Sequence, residues 1–197
     1  MPIHGRTENE CFEIFRAHVV SLVAATLSPT PQIRVARVLG KKAAPARATL
    51  SFARGPIALT TTVGTLFLEV AQLLGTERET RNKHRLRTVK YWYRLQQTAT
   101  AEALVRWEYD PGVLPRCRHH VQFGRPTTLQ IGMSGLDLNR LHLPTGWVTI
   151  EEVIRFLITE MEVRAPCGEE WRTKLADSER RFFEEFTSKR YKPEPES

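Results

Sequence analysis

The first part of the chain combines a helix-start signal with helical periodicity. Thr7 and Glu10 have the spacing of a capping box, in which a threonine hydroxyl and a glutamate carboxylate satisfy the first free amides of a helix. Apolar residues then recur every three to four positions between Cys11 and Leu27. The pattern predicts a helix of about five turns that ends at the Pro-containing segment 28–31.

The pattern that follows predicts two strands and a second helix. Residues 33–39 and 46–52 are short apolar runs typical of strands, and a Gly-Lys-Lys turn joins them. The next run is ambiguous, because β-branched residues give way to a continuous apolar stretch. We favour a helix over 62–74 that ends at Gly75. Residues 76–84 are hydrophilic and predict a connector between an N-terminal subdomain and the rest of the chain.

Period-two alternation begins after the connector. Segments 85–95, 102–109 and 119–123 predict three antiparallel strands, of which the first two form a hairpin, and Asp110–Gly112 is a turn signal. One face of the first strand would carry Val89, Tyr91, Tyr93 and Leu95, and the other would carry Leu86, Lys90, Trp92 and Arg94.

The C-terminal third predicts helices. Thr149 and Glu152 form a second capping box before an apolar stripe, which predicts a helix over 150–162. A last helix is predicted over 168–187, and the polar, Pro-interrupted end is expected to be flexible.

The predicted fold class is α+β. A small antiparallel sheet would pack against the C-terminal helices, with an N-terminal helix and strands alongside. The predicted division is an N-terminal helix and strand subdomain (1–76), a basic α+β region (77–190) and a flexible tail (191–197), with a single domain as the alternative.

Charge is distributed unevenly along this fold. Residues 78–125 contain 11 of the 29 Lys and Arg residues and only four acidic ones, so this window is +7 and the rest of the chain is neutral. The window also contains three of the six histidines and five Tyr and Trp residues. A basic, aromatic stretch on a neutral scaffold indicates a polyanion site, and nucleic acid, with RNA favoured over DNA, is the expected partner.

A strand face that mixes cations with an aromatic ring can hold phosphate and stack a base. The alternative is an ordinary amphipathic strand whose cations face water. The candidate nucleic-acid-binding residues are Arg85, Arg87, Lys90, Trp92, Arg94, Arg106, Arg116 and Arg118.

The candidate catalytic residues are His119, His120 and Tyr109. Imidazole titrates near neutral pH and can take the 2′-hydroxyl proton of RNA or protonate the leaving 5′-oxygen. In a strand the two histidines point to opposite faces, so only one can readily face a site. Arg118 would stabilise the phosphorane. Surface or core histidines without a catalytic role are the alternative.

Other chemistries have weaker signals. Candidate metal ligands are present at Asp110, Cys117, His119, His120 and His142, but their spacing matches no zinc pattern, so we expect no metal. No phosphate-binding or dinucleotide glycine motif is present, so we expect no cofactor. Three scattered cysteines, no signal peptide and no long apolar run predict a soluble cytoplasmic protein without a membrane partner.

The segment from Tyr91 to Val163 resembles the TumE-like toxins of prokaryotic toxin–antitoxin modules. The resemblance lies in an aromatic-basic strand, a second strand ending in Trp107–Pro111, the pair His119 and His120, and the capped helix after Thr149. It implies a toxin or antiviral-defence protein that acts on RNA and is neutralised by an antitoxin. The chain is longer than such toxins, and residues 1–75 have no counterpart in them.

Three hypotheses therefore stand. The first is a toxin-like or defence-associated ribonuclease that needs no metal. The second is a non-catalytic nucleic-acid-binding subunit of a larger complex, and the third is an adaptor that docks an acidic protein such as an antitoxin.

Overall fold

The computed structural model describes residues 4–38, 46–62, 64–112, 118–124, 128–131, 134–137 and 143–186. The Gly-Lys-Lys turn, Arg116, Cys117, His142 and the tail 191–197, all singled out from the sequence, lie outside these residues.

The described chain forms three α-helices and eleven strands. The helices are α1 (Glu8–Thr26), α2 (Ile150–Thr159) and α3 (Trp171–Phe186), with a 3-10 turn at Gly168–Glu170. The strands are β1 (His4–Gly5), β2 (Ile33–Val38), β3 (Arg47–Phe52), β4 (Ile57–Thr61), β5 (Gly64–Thr80), β6 (Lys83–Gln96), β7 (Ala103–Tyr109), β8 (His119–Phe123), β9 (Thr128–Ile131), β10 (Ser134–Asp137) and β11 (Leu143–Pro144). The fold class is α+β, as predicted.

Nine of these strands form one antiparallel sheet. Its order is β11-β8-β7-β6-β5-β3-β2, with β1 paired to β6 and β4 paired to β5, while β9 and β10 form a separate hairpin. The two longest strands, β5 and β6, lie at its centre and pair along almost their whole length. β7, which holds Tyr109, and β8, which holds both candidate histidines, lie between this centre and the β11 edge of the sheet.

The predicted helix 62–74 is wrong, because these residues belong to β5. Every second side chain from Leu66 to Thr76 is buried, and Ala71 and Gly75 between them are buried as well. Phe67 and Leu73 on the half-buried face of this strand make its apolar run continuous, and such a run cannot be distinguished from a buried helix by periodicity alone. The β-branched residues at 57–61 form the neighbouring strand β4.

The predicted connector 76–84 is also wrong as a structural prediction. It contains the end of β5, a turn at residues 81 and 82, and the start of β6. Ion pairs between side chains on the two strands explain its polarity, since Arg87 lies 3.3 Å from Glu77 and Lys83 lies 3.0 Å from Glu79. The division of the chain at residue 76 stays a prediction.

The other predicted elements are confirmed within a few residues, and so are the helix starts. Thr7 accepts a hydrogen bond from the Glu10 amide at 3.2 Å and begins α1. Thr149 and Glu152 form a complete capping box at α2, because the threonine hydroxyl accepts from the Glu152 amide and the Glu152 carboxylate accepts from the Thr149 amide.

A β-bulge in β6 changes which side chains share a face. Leu73 pairs with Lys90 but Leu74 pairs with Thr88, so Val89 is an extra residue on β6. After the bulge the odd-numbered Tyr91, Tyr93 and Leu95 are buried, as predicted; before it, Leu86 is buried instead. The predicted placement of Leu86 with Lys90, Trp92 and Arg94, and of Val89 with the tyrosines, is therefore wrong.

The helices cover one side of the sheet, which we call the helix-side face. One core joins Phe12, Phe15 and Val19 of α1 to sheet residues such as Leu68 and Tyr93. Ile154 and Leu157 of α2 and Leu175 of α3 complete it. We call the opposite side of the sheet the outer face.

Candidate functional site

The candidate residues divide between the two faces, because side chains alternate along each strand. Tyr91 and Tyr93 of β6, Tyr109 of β7 and His119 of β8 lie on the helix-side face, on which Phe156 of α2 contacts the Trp107 ring. The predicted opposite orientation of His119 and His120 is confirmed. The site predicted from the sequence therefore combines residues that lie on two different faces of the sheet.

On the outer face the side chains form cross-strand rows. One row runs through Glu69, Arg94, Arg106 and Gln122, and the next through Ala71, Trp92, Glu108 and His120. Lys90 lies one pair further along β6. These rows and Lys90 contain four of the eight predicted nucleic-acid-binding side chains, Lys90, Trp92, Arg94 and Arg106.

Each of these outer-face cations has a carboxylate partner. Lys90 Nζ lies 2.5 Å from Asp110, Arg94 lies 3.3 Å from Glu69, and Arg106 lies 3.5 Å from Glu108. Arg87 pairs with Glu77, and Arg85 is the strand partner of the same glutamate. Trp92 lies under the Arg94 guanidinium, with 6.0 Å from the guanidinium carbon to the ring centroid. The positive charge of these ion-paired cations is thus compensated locally, and the part of the outer face that they form is polar rather than strongly basic.

His120 is buried within the outer face. It is 3% exposed, and its Nε2 atom lies 3.4 Å from Glu108. A ring this inaccessible cannot reach a phosphodiester in the described conformation. Of the two candidate histidines, His119 is the accessible one.

His119 belongs to an aromatic cluster on the helix-side face, which we call the His119 cluster: His119, Tyr91, Tyr109 and Trp147. The His119 and Tyr109 rings are stacked with centroids 4.3 Å apart and 10° between their planes. Trp147 lies 5.2 Å from each of these rings. His119, Tyr109 and Trp147 are half-buried, so the cluster reaches the surface.

Tyr91 fixes the His119 ring. The Tyr91 hydroxyl accepts a hydrogen bond from the Val148 amide at 2.9 Å and lies 3.4 Å from His119 Nδ1. The tautomer in which Nδ1–H donates to this hydroxyl leaves Nε2 with a free lone pair. Burial, followed by the neighbouring charges of Arg118 and His120, lowers the pKa of His119 below its usual value. The lowered pKa favours the neutral ring, which can accept a proton.

The structure brings together some predicted site residues and not others. Tyr109 and His119 lie together, with exposed Arg118 next in sequence, while Lys90, Trp92, Arg94 and Arg106 lie across the sheet from them. Trp147 was not predicted, because it precedes the α2 capping box without periodicity of its own. The cross-strand carboxylates were not predicted either, although their positions follow from strand register.

A second polar cluster is buried between the sheet and the helices. His18 Nε2 lies 2.9 Å from the Ser178 hydroxyl, and that hydroxyl donates to Glu151 Oε1 at 2.5 Å. Glu151 is 2% exposed, and burial raises the pKa of its carboxyl. Glu151 Oε2 and Gln72 Oε1 have no hydrogen-bond partner among the described residues, and both side chains line one small cavity of about 10 Å³. The serine lies between the histidine and the glutamate, so this is not the order of a nucleophilic triad.

The described residues contain neither a metal-binding cluster nor a membrane-spanning helix. No three His, Cys, Asp or Glu side chains there are arranged to hold a metal ion. None of the helices in the described chain has the length and apolar character needed to span a membrane.

The fold and these clusters define an α+β protein with a one-sided helical layer and an accessible histidine at a strand start. Comparisons of the chain with protein-family models, with curated proteins and with solved structures found no match. The resemblance to TumE-like toxins therefore stays an expectation from the sequence.

Proposed function

We propose that this chain is an RNA-directed protein that cleaves RNA without a metal ion at the His119 cluster. The observation that supports this proposal is the position of His119: its imidazole reaches the surface beside Tyr109, its Nδ1 lies 3.4 Å from the Tyr91 hydroxyl, and burial lowers its pKa, which favours the neutral ring. That is the state a general base requires. His120 has no part in the reaction, because it is buried on the other face of the sheet.

The proposed reaction is an internal transesterification. His119 Nε2 takes the proton of a ribose 2′-hydroxyl, and the 2′-oxygen forms a bond to phosphorus as the bond from phosphorus to the 5′-oxygen breaks. The leaving 5′-oxygen takes a proton from the Tyr109 hydroxyl or from water. Arg118 is exposed, precedes His119 in sequence and contributes to the lowered pKa of that ring, and it offers its guanidinium to the phosphorane oxygens. The products are a 2′,3′-cyclic phosphate and a 5′-hydroxyl end.

The aromatic rings of the cluster support a single-stranded substrate. Unpaired bases stack on exposed aromatic side chains, whereas duplex bases do not reach them. Tyr109 and Trp147 offer such rings next to His119. The toxin or defence role implied by the sequence resemblance belongs to the same proposal, with an antitoxin as the partner that would cover this cluster.

The test is cleavage of labelled single-stranded RNA by the purified protein with and without EDTA. We expect EDTA-resistant cleavage, and none of DNA or of RNA methylated at the 2′-oxygen. His119→Ala should reduce the rate by about 100-fold or more, the usual contribution of a general base. Lys174→Ala, at an exposed cation on α3, is the control and should be unchanged.

The pH dependence of the rate sharpens this test. The reaction needs neutral His119, and its pKa is lowered. The acid limb of the profile should therefore lie below pH ~6.5, where an ordinary histidine titrates. A limb above that value would contradict the role of His119 as the base.

Two other outcomes select the other hypotheses. RNA retardation without cleavage would indicate a non-catalytic binding subunit, and its affinity would fall with salt. A protein that binds neither RNA nor DNA would support the third hypothesis, an adaptor that docks an acidic protein. The outer-face cations of β6 and β7 are paired with carboxylates, so they do not favour either of these alternatives over the nuclease.

A further inference from the structure

The part of the chain that contains β2 and β3 is basic and has no acidic residue to offset its charge. Residues 14–68 contain no Asp and no Glu. The same stretch contains seven Lys and Arg residues, namely Arg16, Arg34, Arg37, Lys41, Lys42, Arg47 and Arg54. The chain outside the basic window 78–125 is neutral in total only because its acidic residues lie in other segments. This stretch is therefore a second basic region.

Strand register places two of these arginines on the outer face. Every second residue of β3 from Ala48 to Phe52 belongs to the core, so Arg47 and Ser51 lie on the opposite side of that strand. Arg34 of β2 is the strand partner of Ser51 and shares its face. Both arginines are exposed. Because Ser51 is four residues beyond Arg47, the two arginines are about 14 Å apart along the strand at ~3.4 Å per residue.

These arginines differ from the cations of β6 and β7 because they have no carboxylate partner. Among the described residues, no Asp or Glu forms an ion pair with Arg34, Arg47 or Arg54. Arg34 donates through Nε to the Ser51 hydroxyl at 3.5 Å, so its two terminal amino groups stay available to a ligand. An exposed charge without a counter-charge in the protein attracts polyanions.

Arg54 extends this charge to the end of β3. It is exposed in the turn between β3 and β4 and lines a concavity of about 260 Å³. Its polar neighbours in the lining are Ser28, Thr30 and Gln32, and none of the residues that line the concavity is acidic. A guanidinium with nearby hydroxyl groups is suited to a phosphate.

The side chains between the arginines favour a nucleic acid over a protein as the ligand. Ala36, Thr49 and Ser51 are small and lie on the outer face between Arg34 and Arg47. Protein interfaces depend on aromatic and large apolar side chains in their centre, which this surface does not offer. Phosphate oxygens are instead contacted by arginines and by serine and threonine hydroxyl groups.

We propose that Arg34, Arg47 and Arg54, which we call the β2–β3 surface, bind the phosphate backbone of a single-stranded nucleic acid. The choice of RNA rests on the proposed function. β2 lies five strands from β8 in the sheet order, roughly 24 Å at ~4.8 Å per strand, and His119 faces the other side. The β2–β3 surface therefore holds the strand without contacting the reacting atoms.

The experiment measures binding rather than cleavage. A fluorescent single-stranded RNA of about 20 nucleotides, with 2′-O-methyl groups that prevent the proposed reaction, is titrated with protein between about 50 and 200 mM salt. The readout is the slope of the logarithm of the affinity against the logarithm of the salt concentration. DNA of the same length should bind through the same surface, because the contacts are to phosphate.

A triple variant with Arg34→Gln, Arg47→Gln and Arg54→Gln should reduce this slope by about 2, since each phosphate contact on a single strand contributes ~0.7. Its affinity should fall by about tenfold or more. The same three positions changed to Lys keep the charge and should keep the slope. Arg180→Gln removes one exposed charge from α3 and should leave the slope unchanged.

A slope that is lost in the triple Gln variant and kept in the triple Lys variant supports the proposal. Equal slopes in the natural chain and the triple Gln variant would overturn it, and so would the absence of RNA binding. Polyglutamate that binds as tightly as RNA and is released by the triple Gln variant would also overturn it, in favour of an acidic protein.

The outcome is separate from that of the nuclease test. His119→Ala should bind RNA with the affinity and slope of the natural chain, because His119 is on the other face of the sheet. If the natural chain cleaves no RNA but loses its slope in the triple Gln variant, the nuclease proposal fails and this one stands. Cleavage with a slope that the triple Gln variant leaves unchanged has the opposite meaning.

Discussion

The two faces of the sheet differ although neighbouring residues build them. Tyr91 and Tyr93 are each 1% exposed and stack on one another at 4.9 Å within the core, whereas Trp92 and Arg94, between and beside them, are half-buried on the outer face. His119 reaches the surface on the helix side, and His120 is buried on the outer side. A cluster along the sequence of a strand is thus two separate clusters in space.

The comparison also concerns charge. The outer face pairs the cations of β6 and β7 with carboxylates, while on the helix side the polar groups belong to aromatic and buried hydrogen-bonded clusters. Net charge in a sequence window predicted a basic surface, but cross-strand pairing decides how much of that charge is free.

The largest change in the free energy of unfolding should come from Tyr93 in the core, in contrast to its neighbour Trp92 on the outer face. Tyr93→Ala removes a core ring and should lower the free energy of unfolding by about 3–5 kcal/mol. Trp92→Ala should lower it by roughly 1 kcal/mol, because Trp92 is outside the core. Urea unfolding of both variants measures the difference.

Tyr93→Phe is the control for this pair. It keeps the ring and leaves the Gln72 amide, 2.6 Å from the hydroxyl, without its acceptor, at a cost of about 1–3 kcal/mol. Equal losses for Tyr93→Ala and Trp92→Ala would contradict the one-sided core.

An intermediate effect should come from the buried carboxyl on the helix side. Because burial raises the pKa of Glu151, the folded state binds its proton more tightly than the unfolded state. Stability should fall as the pH rises from the ordinary carboxyl pKa through the raised one. Glu151→Gln should make stability fall less steeply with pH, so the variant should become more stable relative to the natural chain as the pH rises. Urea unfolding of both proteins between pH 4 and 8 measures this difference.

Glu152, whose pKa burial also raises, contributes to the same slope, so the variant should reduce it without abolishing it. His119 acts in the opposite direction, because its pKa is lowered and its protonation in acid favours unfolding. A slope identical in Glu151→Gln and the natural chain would show that Glu151 is not buried in solution.

The smallest effect should come from the outer-face ion pairs. Lys90 and Asp110 are each about a third exposed, with side-chain values of 38% and 30%. A double-mutant cycle of Lys90→Met and Asp110→Asn should give a coupling of about 0.2–1 kcal/mol. Coupling well above that range would mean that this face is drier than the described exposures indicate.

Much of the fold could be predicted because amphipathic elements carry their own signals. The capped helices and the strands β6 to β8 follow from local spacing and turn residues. The prediction of a helix over 62–74 failed because β5 has apolar residues on both of its faces, so its apolar run contains no period that excludes a helix.

The candidate site could be predicted only in part. Alternation along β8 was enough to place His119 and His120 on opposite faces. Nothing local showed which of the two would be accessible, or that Trp147, 28 residues beyond His119, would complete the aromatic cluster. Those facts depend on strand order and on the path into α2.

The bulge at Val89 has a consequence for how this chain tolerates changes of length. Every strand partner on either side of Val89 would keep its register if that residue were deleted, because it is the extra position between Thr88 and Lys90. Deletion of Trp92 would instead carry Lys90 to the core side of the sheet and Tyr91 to the outer side. In a related chain, a one-residue deletion is therefore expected at Val89, and a deletion two or three residues later in β6 is not.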